Sequence, residues 1–117
     1  MSTDRELLEL AAKAAGIDAS WDDEAERLRI SVPFRGSRTM INYEDWDPLT
    51  DDGDALRLAV KLGLLISTCG DQTDASDPDE RFVCVEPHGE DACAASRRAI
   101  TREAAQIGRA AQGVKHV

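Results

Sequence analysis

The hydrophobic and polar positions of the chain repeat with two different periods. Apolar residues three or four positions apart recur over 4–15, 55–62 and 91–111, which is the spacing of one face of an α-helix. Between these segments apolar residues occupy every second position, as they do in strands with one buried face. The pattern therefore predicts the order helix, hairpin, helix, hairpin, helix.

Capping residues indicate where the first two helices begin and end. Thr3 and Glu6 form a Ser/Thr-x-x-Glu capping box before the first helix, and Gly16 suits the left-handed position after it. Asp51 or Thr50 can cap the second helix, because a short side-chain oxygen accepts a hydrogen bond from the first turn. The last helix has a stripe of mostly small residues, so we expect it to lie close to its neighbours.

Strand spacing defines two hairpins and one further short strand. These segments are 17–21 with 28–34, 64–68 with 81–86, and 38–43. The acidic stretch 70–80 is predicted to be a solvated, mobile loop, because polar residues and Pro78 fill it. Three amphipathic helices that cover a largely antiparallel sheet predict an α+β fold. We expect a three-layer helix/sheet/helix sandwich with the order α-β-β-α-β-β-α.

Length and charge limit the kinds of function that we expect. The 117 residues suit a single domain, with 113–117 as a frayed end. The formal net charge is -9, although 92–117 carries five basic side chains and one acid. Such an acidic body makes direct binding to nucleic acid unlikely as a function. No apolar run is long enough to span a membrane and no secretory signal is present, so we expect a cytoplasmic protein.

The cysteines do not form a metal-binding or disulfide pattern. Cys69, Cys84 and Cys93 contain no Cys-x-x-Cys spacing, so we expect reduced thiols. His88 lies near two of these cysteines in sequence, but a Cys–His catalytic pair also needs contact and a third, orienting group. We assign no catalytic residue, cofactor or metal ligand from the sequence.

An acidic stretch around a tryptophan is the most distinctive feature of the sequence. It supplies the candidate partner-binding set Trp46, Asp47, Asp51, Asp52 and Asp54. In one interpretation the Trp46 ring is an exposed anchor for a partner protein, like the aromatic residues of interface hot spots. In the other, which we favour, the ring packs over the sheet and the aspartates cap the second helix. A Mg²⁺ site between Asp51 and Asp54, one turn apart, is a third interpretation.

The last helix carries a candidate anion-binding set. It consists of Arg97, Arg98, Arg102 and Arg109. A basic helical stripe can hold phosphate or nucleic acid, or it can pair with the acidic remainder of the chain. Because no aromatic residues are interleaved with the arginines, we favour pairing with the acidic body.

Three blocks of the chain together resemble a known family. The blocks are 6–17, 46–62 and 95–108, and the central block begins Trp46-Asp47-Pro48. Their order and spacing resemble a family of small phage and prophage proteins, the phage ABA sandwich domain, whose members usually have Asn where this chain has Asp47. The resemblance implies a helix/sheet/helix sandwich encoded by a temperate phage. It implies no catalytic residues.

The resemblance and the charge together suggest a function. We expect a non-enzymatic phage accessory protein of the bacterial cytoplasm that binds a host protein, with modulation of host defence as one hypothesis. The alternative is a small-molecule or nucleotide binder that uses the basic face of the last helix. Edge strands of a small sheet also leave homodimerisation open.

Overall fold

Three helices and six strands make up the part of the chain that this computed structural model describes, residues 3–33 and 41–114. The helices are α1 (Asp4–Ala14), α2 (Asp52–Leu62) and α3 (Ala92–Val114). The strands are β1 (Ala19–Asp22), β2 (Arg27–Pro33), β3 (Ile41–Asp45), β4 (Leu65–Ser67), β5 (Gln72–Ser76) and β6 (Val83–Pro87). Among the described residues, no helix combines the length and apolarity needed to cross a membrane.

The strands form two antiparallel sheets of three strands each. Sheet A has the order β1-β2-β3 and sheet B the order β4-β5-β6. The predicted α+β class, the antiparallel pairing and a helix/sheet sandwich are confirmed. The element order is α-β-β-β-α-β-β-β-α rather than the predicted one. The first added strand, β3, overlaps the short strand predicted at 38–43, of which 38–40 lie outside the described residues.

The middle strand of sheet B lies in a segment that was predicted to be a loop. The loop predicted over 70–80 is wrong for β5, in which Thr73 and Ala75 are fully buried against α3. A central strand normally shows large apolar residues, but β5 faces a helix built from small residues at close range. Only small side chains fit there, so the sequence of β5 lacks the usual signal of a strand.

The predicted caps of the first two helices are confirmed. The backbone N–H of Glu6 donates to Thr3 Oγ1 (3.2 Å), and that of Asp54 donates to Asp51 Oδ2 (2.7 Å). Gly63 ends α2 in the left-handed conformation, with φ of 65°. Because Asp51 is the cap, α2 begins at Asp52, three residues earlier than predicted.

The third helix lies at the centre of the molecule. It contacts α1 and α2 as well as β5 and β6, and α1 also contacts β2. The helices therefore lie between the two sheets instead of enclosing one. Ala99 and Ala104 are fully buried, and a Cβ on Gly108 would overlap the carbonyl oxygen of Leu10 in α1. The predicted close approach of the last helix thus depends on residues with little or no side chain.

The hydrophobic core lies between sheet A and the helices. Its buried members are Leu8, Ala11, Ala12, Ala15, Leu28, Trp46, Ala55, Leu58, Ala59, Ile100 and Ala104. Sheet A contributes Leu28 from its inner face, with Trp21 opposite it on β1. Sheet B lies on the far side of α3, where Ala75 and Cys84 are its buried apolar residues.

Candidate binding surface

The Trp46 ring belongs to the core. The residue is only 4% exposed, and its backbone N–H donates to the carbonyl of Leu28 (3.0 Å), which ties the chain after β3 to β2. The interpretation of Trp46 as an exposed anchor is therefore wrong, and the packed ring is confirmed.

The aspartates after Trp46 organise the turn and the start of α2. Asp54 Oδ2 accepts from the backbone N–H of Asp47 (3.0 Å), while its Oδ1 accepts from Arg57 (2.8 Å). Asp47 Oδ1 in turn accepts from the N–H of Leu49 (2.9 Å), and Asp51 caps the helix. The capping interpretation is confirmed. No group of three or more described His, Cys, Asp or Glu residues is arranged to hold a metal ion, and the Mg²⁺ interpretation, which needs only two carboxylates, stays a prediction.

The four arginines of α3 do not form one site. Arg97 faces the start of α2: its Nε donates to the carbonyl of Leu49 in the preceding turn (2.9 Å), and its guanidinium pairs with Asp52, the first residue of the helix (2.6 Å). The exposed stripe of α3 contains Arg98, Arg102 and Arg109.

The acidic body pairs with the exposed stripe of α3. Arg102 donates to Glu86 (2.7 Å), and Arg98 lies 3.8 Å from Asp4. The hydrogen bond to Glu86 raises the pKa of Arg102 above its ordinary value. Pairing with the acidic body is thus confirmed for these two arginines.

In sheet A the large apolar side chains face the helices, whereas in sheet B most of them face solvent. Opposite residues of an antiparallel pair share a face, so Ala75 and Cys84 lie together on the inner face that contacts α3. The outer face carries Leu65, Val83 and Val85, whose exposed fractions are 57%, 58% and 44%. Three of the four larger aliphatic side chains of this sheet therefore face away from the protein, and the fourth, Ile66, lies opposite Ala75 on the inner side.

A second exposed apolar feature lies on α2. Leu56 and Val60 are one turn apart and both are largely exposed, and we call this pair the α2 shelf. Gly63 ends the helix, β4 begins two residues later, and Thr68 beyond β4 lines the same cleft as Leu56. Sheet B and the α2 shelf hold all the exposed large hydrophobic residues of the described chain except Tyr43 on sheet A.

The cleft lies between α2, the first half of α3 and the ends of β4 and β6. Its volume is about 390 Å³, and its apolar walls include Ala55, Leu56 and Ile100. Its polar walls include His88 and Arg97. Mostly apolar clefts of this size with a few polar groups are typical of binding pockets.

A chain of hydrogen bonds fixes one wall of the cleft. Ser96 Oγ donates to the carbonyl of Ala92 (2.8 Å), so it accepts the hydroxyl proton of Thr73 (2.7 Å). Thr73 Oγ1 has then used its proton, so it accepts from His88 Nε2–H (2.8 Å). The chain joins β5, the end of β6 and the start of α3, and it leaves His88 Nδ1 as an acceptor in the neutral ring.

Within the described residues His88 makes no hydrogen bond to a cysteine, although it shares the cleft with Cys93. Its Nε2 is bound to Thr73, and all three cysteines are free thiols. Burial raises the pKa of the Cys84 thiol to about 11, so this sulfur stays protonated at neutral pH. Cys84 is therefore a small core residue and not an activated nucleophile.

Two buried carboxyl groups lie near sheet B in opposite environments. Burial alone would raise the pKa of Asp77, but hydrogen bonds from the N–H of Phe82 and from Arg81 lower it below its usual value. Glu103 in α3 is fully buried, and neither carboxyl oxygen makes a hydrogen bond of standard geometry. Burial consequently raises the pKa of Glu103.

The outer face of sheet B, the α2 shelf and the cleft were not found from the sequence. Val83, Cys84 and Val85 are all apolar, so alternation could not show which of them faces solvent. No family model, curated protein or solved structure matches the chain.

Proposed function

We propose that this chain is a protein-binding module and that the partner docks on the outer face of sheet B. The observation that carries the proposal is the outward placement of Leu65, Val83 and Val85 on a sheet whose inner face, apart from Ile66, is small or polar. Single exposed aliphatic residues are ordinary, but a cluster on one face is typical of an interaction site. Apolar interface centres of this kind normally have a polar rim.

The charges around this face favour a partner with a basic rim. Asp74 lies on the outer face itself, opposite Ser67 and Val85, and the adjoining loop carries Asp79 and Glu80. A partner with an apolar centre and surrounding lysines or arginines would complement this pattern. A second copy of the chain would instead bring together two molecules of net charge -9.

The family resemblance supplies the biological setting of the proposal. If the chain is a phage ABA sandwich protein, the partner is a protein of the bacterial host, and a non-enzymatic accessory role follows. Modulation of host defence remains a hypothesis within that setting. The alternative function, nucleotide binding on the basic face of α3, has less support. Arg102 and Arg98 on that face already lie beside Glu86 and Asp4.

The proposal can be tested by comparing two exposed sheet faces in one capture experiment. Tagged wild type, Val83→Glu/Val85→Glu and Tyr43→Glu are each incubated with bacterial lysate, and the retained proteins are identified by mass spectrometry. Tyr43 is 63% exposed and lies on the outer face of sheet A, so its variant is the matched control. Circular dichroism checks that all three proteins are folded.

We expect a protein that wild type and Tyr43→Glu retain and that the double variant loses at least tenfold. The interaction is then measured again with the purified partner. Equal retention by the double variant, equal loss in Tyr43→Glu, or no specific retention by wild type would each contradict the proposal.

A further inference from the structure

We infer that the partner contributes an extended peptide segment that adds as a fourth strand to the free edge of β4. This inference rests on the proposed protein-binding function and specifies how the partner binds. Strand addition satisfies the unpaired backbone groups of an edge strand, while alternate side chains of the added strand enter pockets on its two sides. The β4 edge offers both the unpaired backbone and the pockets.

The two edges of sheet B differ in how well they are protected. Natural edge strands are usually blocked by charges, prolines or irregular backbone. β6 ends in Pro87, which has no N–H to donate, and carries the charged residue Glu86. β4 has no such protection: its three residues are all exposed, and the stretch 62–70 around it contains no charge. In the part of the chain that the structure describes, β4 pairs with β5 alone, so its alternate N–H and C=O groups on the other side have no strand partner.

β4 and the α2 shelf both present exposed apolar side chains, and Thr68 beyond β4 shares the cleft with Leu56. Ile66 points to the inner side of the sheet, opposite Ala75, yet it is 37% exposed. The α2 shelf, Leu56 and Val60, is exposed on the neighbouring helix. An added strand would place its inward side chains against the shelf and in the cleft of about 390 Å³. Its outward side chains would extend the outer face beside Leu65.

The charges define the chemistry of the segment. The uncharged β4 stretch is followed by Asp71, and Asp74 lies opposite Ser67, whereas Asp52 in the cleft is already paired with Arg97. The best match is a segment with apolar side chains at alternate positions and lysine or arginine between and around them. Such a segment places its apolar side chains inward and its positive charges toward solvent and the acidic rim.

A designed peptide provides the test. The probe is a fluorescent, acetylated and amidated heptapeptide, Lys-Val-Lys-Leu-Lys-Val-Lys, titrated with the full-length protein and followed by anisotropy. Two further peptides carry backbone N-methyl groups, one on the Val and Leu positions and the other on the central Lys positions. Alternate N–H groups of a strand point to opposite sides, so only one of these two sets can pair with β4.

We expect saturable binding with a Kd below about 1 mM, and at least a tenfold loss for one methylated peptide only. The variant Leu56→Ser/Val60→Ser should also weaken binding at least tenfold, while Tyr43→Ser should not. Amide hydrogen exchange in β4 should slow when the peptide is bound.

Several results would overturn strand addition. One is the absence of saturable binding up to about 1 mM, and another is equal affinity of the two methylated peptides. A third is that peptide binding slows exchange elsewhere in the protein but not in β4 or α2. A dimer formed through β4, detected by sedimentation before peptide is added, would assign the edge to a second copy and also overturn it. Because Val83→Glu/Val85→Glu probes the outer face in the capture experiment, loss of strand addition alone would leave the proposed function standing.

Discussion

Arg27 and Arg29 lie on the outer face of sheet A within 2.6 and 3.5 Å of Asp45, and Arg29 is also 3.4 Å from Asp22. The corresponding face of sheet B carries three exposed aliphatic side chains and one carboxylate. Both sheets have three antiparallel strands and both lie on the helices, so the fold does not require the difference. A charged outer face keeps a sheet in water, whereas an apolar outer face is typical of a surface that meets another molecule.

The inner faces of the two sheets also differ, in the size of the apolar side chains that they bury. Sheet A places Leu28 and the partly buried Ile30 and Trp21 toward the helices, whereas sheet B places Thr73 and Cys84 there. Sheet B therefore contributes less apolar burial to the fold than sheet A does. We interpret this as a division of roles in which sheet A completes the core and sheet B presents its aliphatic residues to a partner.

The largest expected effect comes from removing the inner anchor of sheet A. Leu28 is fully buried, so Leu28→Ala loses transfer free energy and leaves a cavity; we expect a decrease of about 2–5 kcal/mol in the free energy of unfolding. Val83→Ala on the outer face of sheet B should change the free energy of unfolding by no more than about 0.5 kcal/mol. Urea unfolding measures both variants. A loss at Val83 as large as that at Leu28 would show that the outer face of sheet B is covered, and the comparison would fail.

A smaller effect, dependent on pH, should come from the buried acid near sheet B. Glu103 has its pKa raised by burial, and the groups around it are Cys84, Asp77 and Arg81. The folded state holds this proton more tightly than the unfolded chain does. Stability is therefore lost as the pH rises from the ordinary carboxyl pKa through the raised folded-state pKa.

Substitution of Glu103 by glutamine should remove this loss. We expect the free energy of unfolding of Glu103→Gln, relative to wild type, to increase with pH across that range. Urea unfolding at a series of pH values measures the difference. The lowered pKa of Asp77 gives the opposite dependence, in which stability is lost as the pH falls, but it is common to both proteins and cancels in the comparison. A difference that is constant with pH would contradict the raised pKa of Glu103.

The smallest effect should come from the charged face of sheet A. Asp45→Asn removes the partner of Arg27 and Arg29, but these side chains are about half exposed, so we expect a loss below about 1 kcal/mol. High salt should shrink the loss, because exposed ion pairs are screened. Urea unfolding at low and high sodium chloride tests this. A loss that high salt leaves unchanged would show that these pairs do more than keep the face in water.

The sequence predicts those parts of the fold that depend on neighbouring residues. The caps at Thr3 and Asp51 and the left-handed Gly16 after α1 are local, and all three are confirmed. The sequence also offers the buried Trp46 ring as one of two alternatives. It does so because helix capping by the neighbouring aspartates accounts for the acidic stretch without a binding site. The strand β5 was missed because Thr73 and Ala75 are small, and their burial depends on the close approach of α3.

The candidate surface was beyond sequence reasoning for a different reason. The direction in which Val83 and Val85 point depends on the register of β6 against β5, and the cleft joins Leu56, Thr68 and Ile100 from three elements. Charge was also misleading in part. The arginines of α3 suggested an anion site, but the fold places Arg97 against α2 and Arg102 beside Glu86.

Hydrogen exchange of the complex with the captured partner is the most direct test of the outer face of sheet B. Exchange is measured by mass spectrometry for the protein alone and for the protein saturated with the purified partner. We predict slower exchange in β4 and β6 on binding, with β1 and β3 of sheet A unchanged. Slower exchange in β1 and β3 with no change in β4 and β6 would contradict the assignment of the binding surface to sheet B.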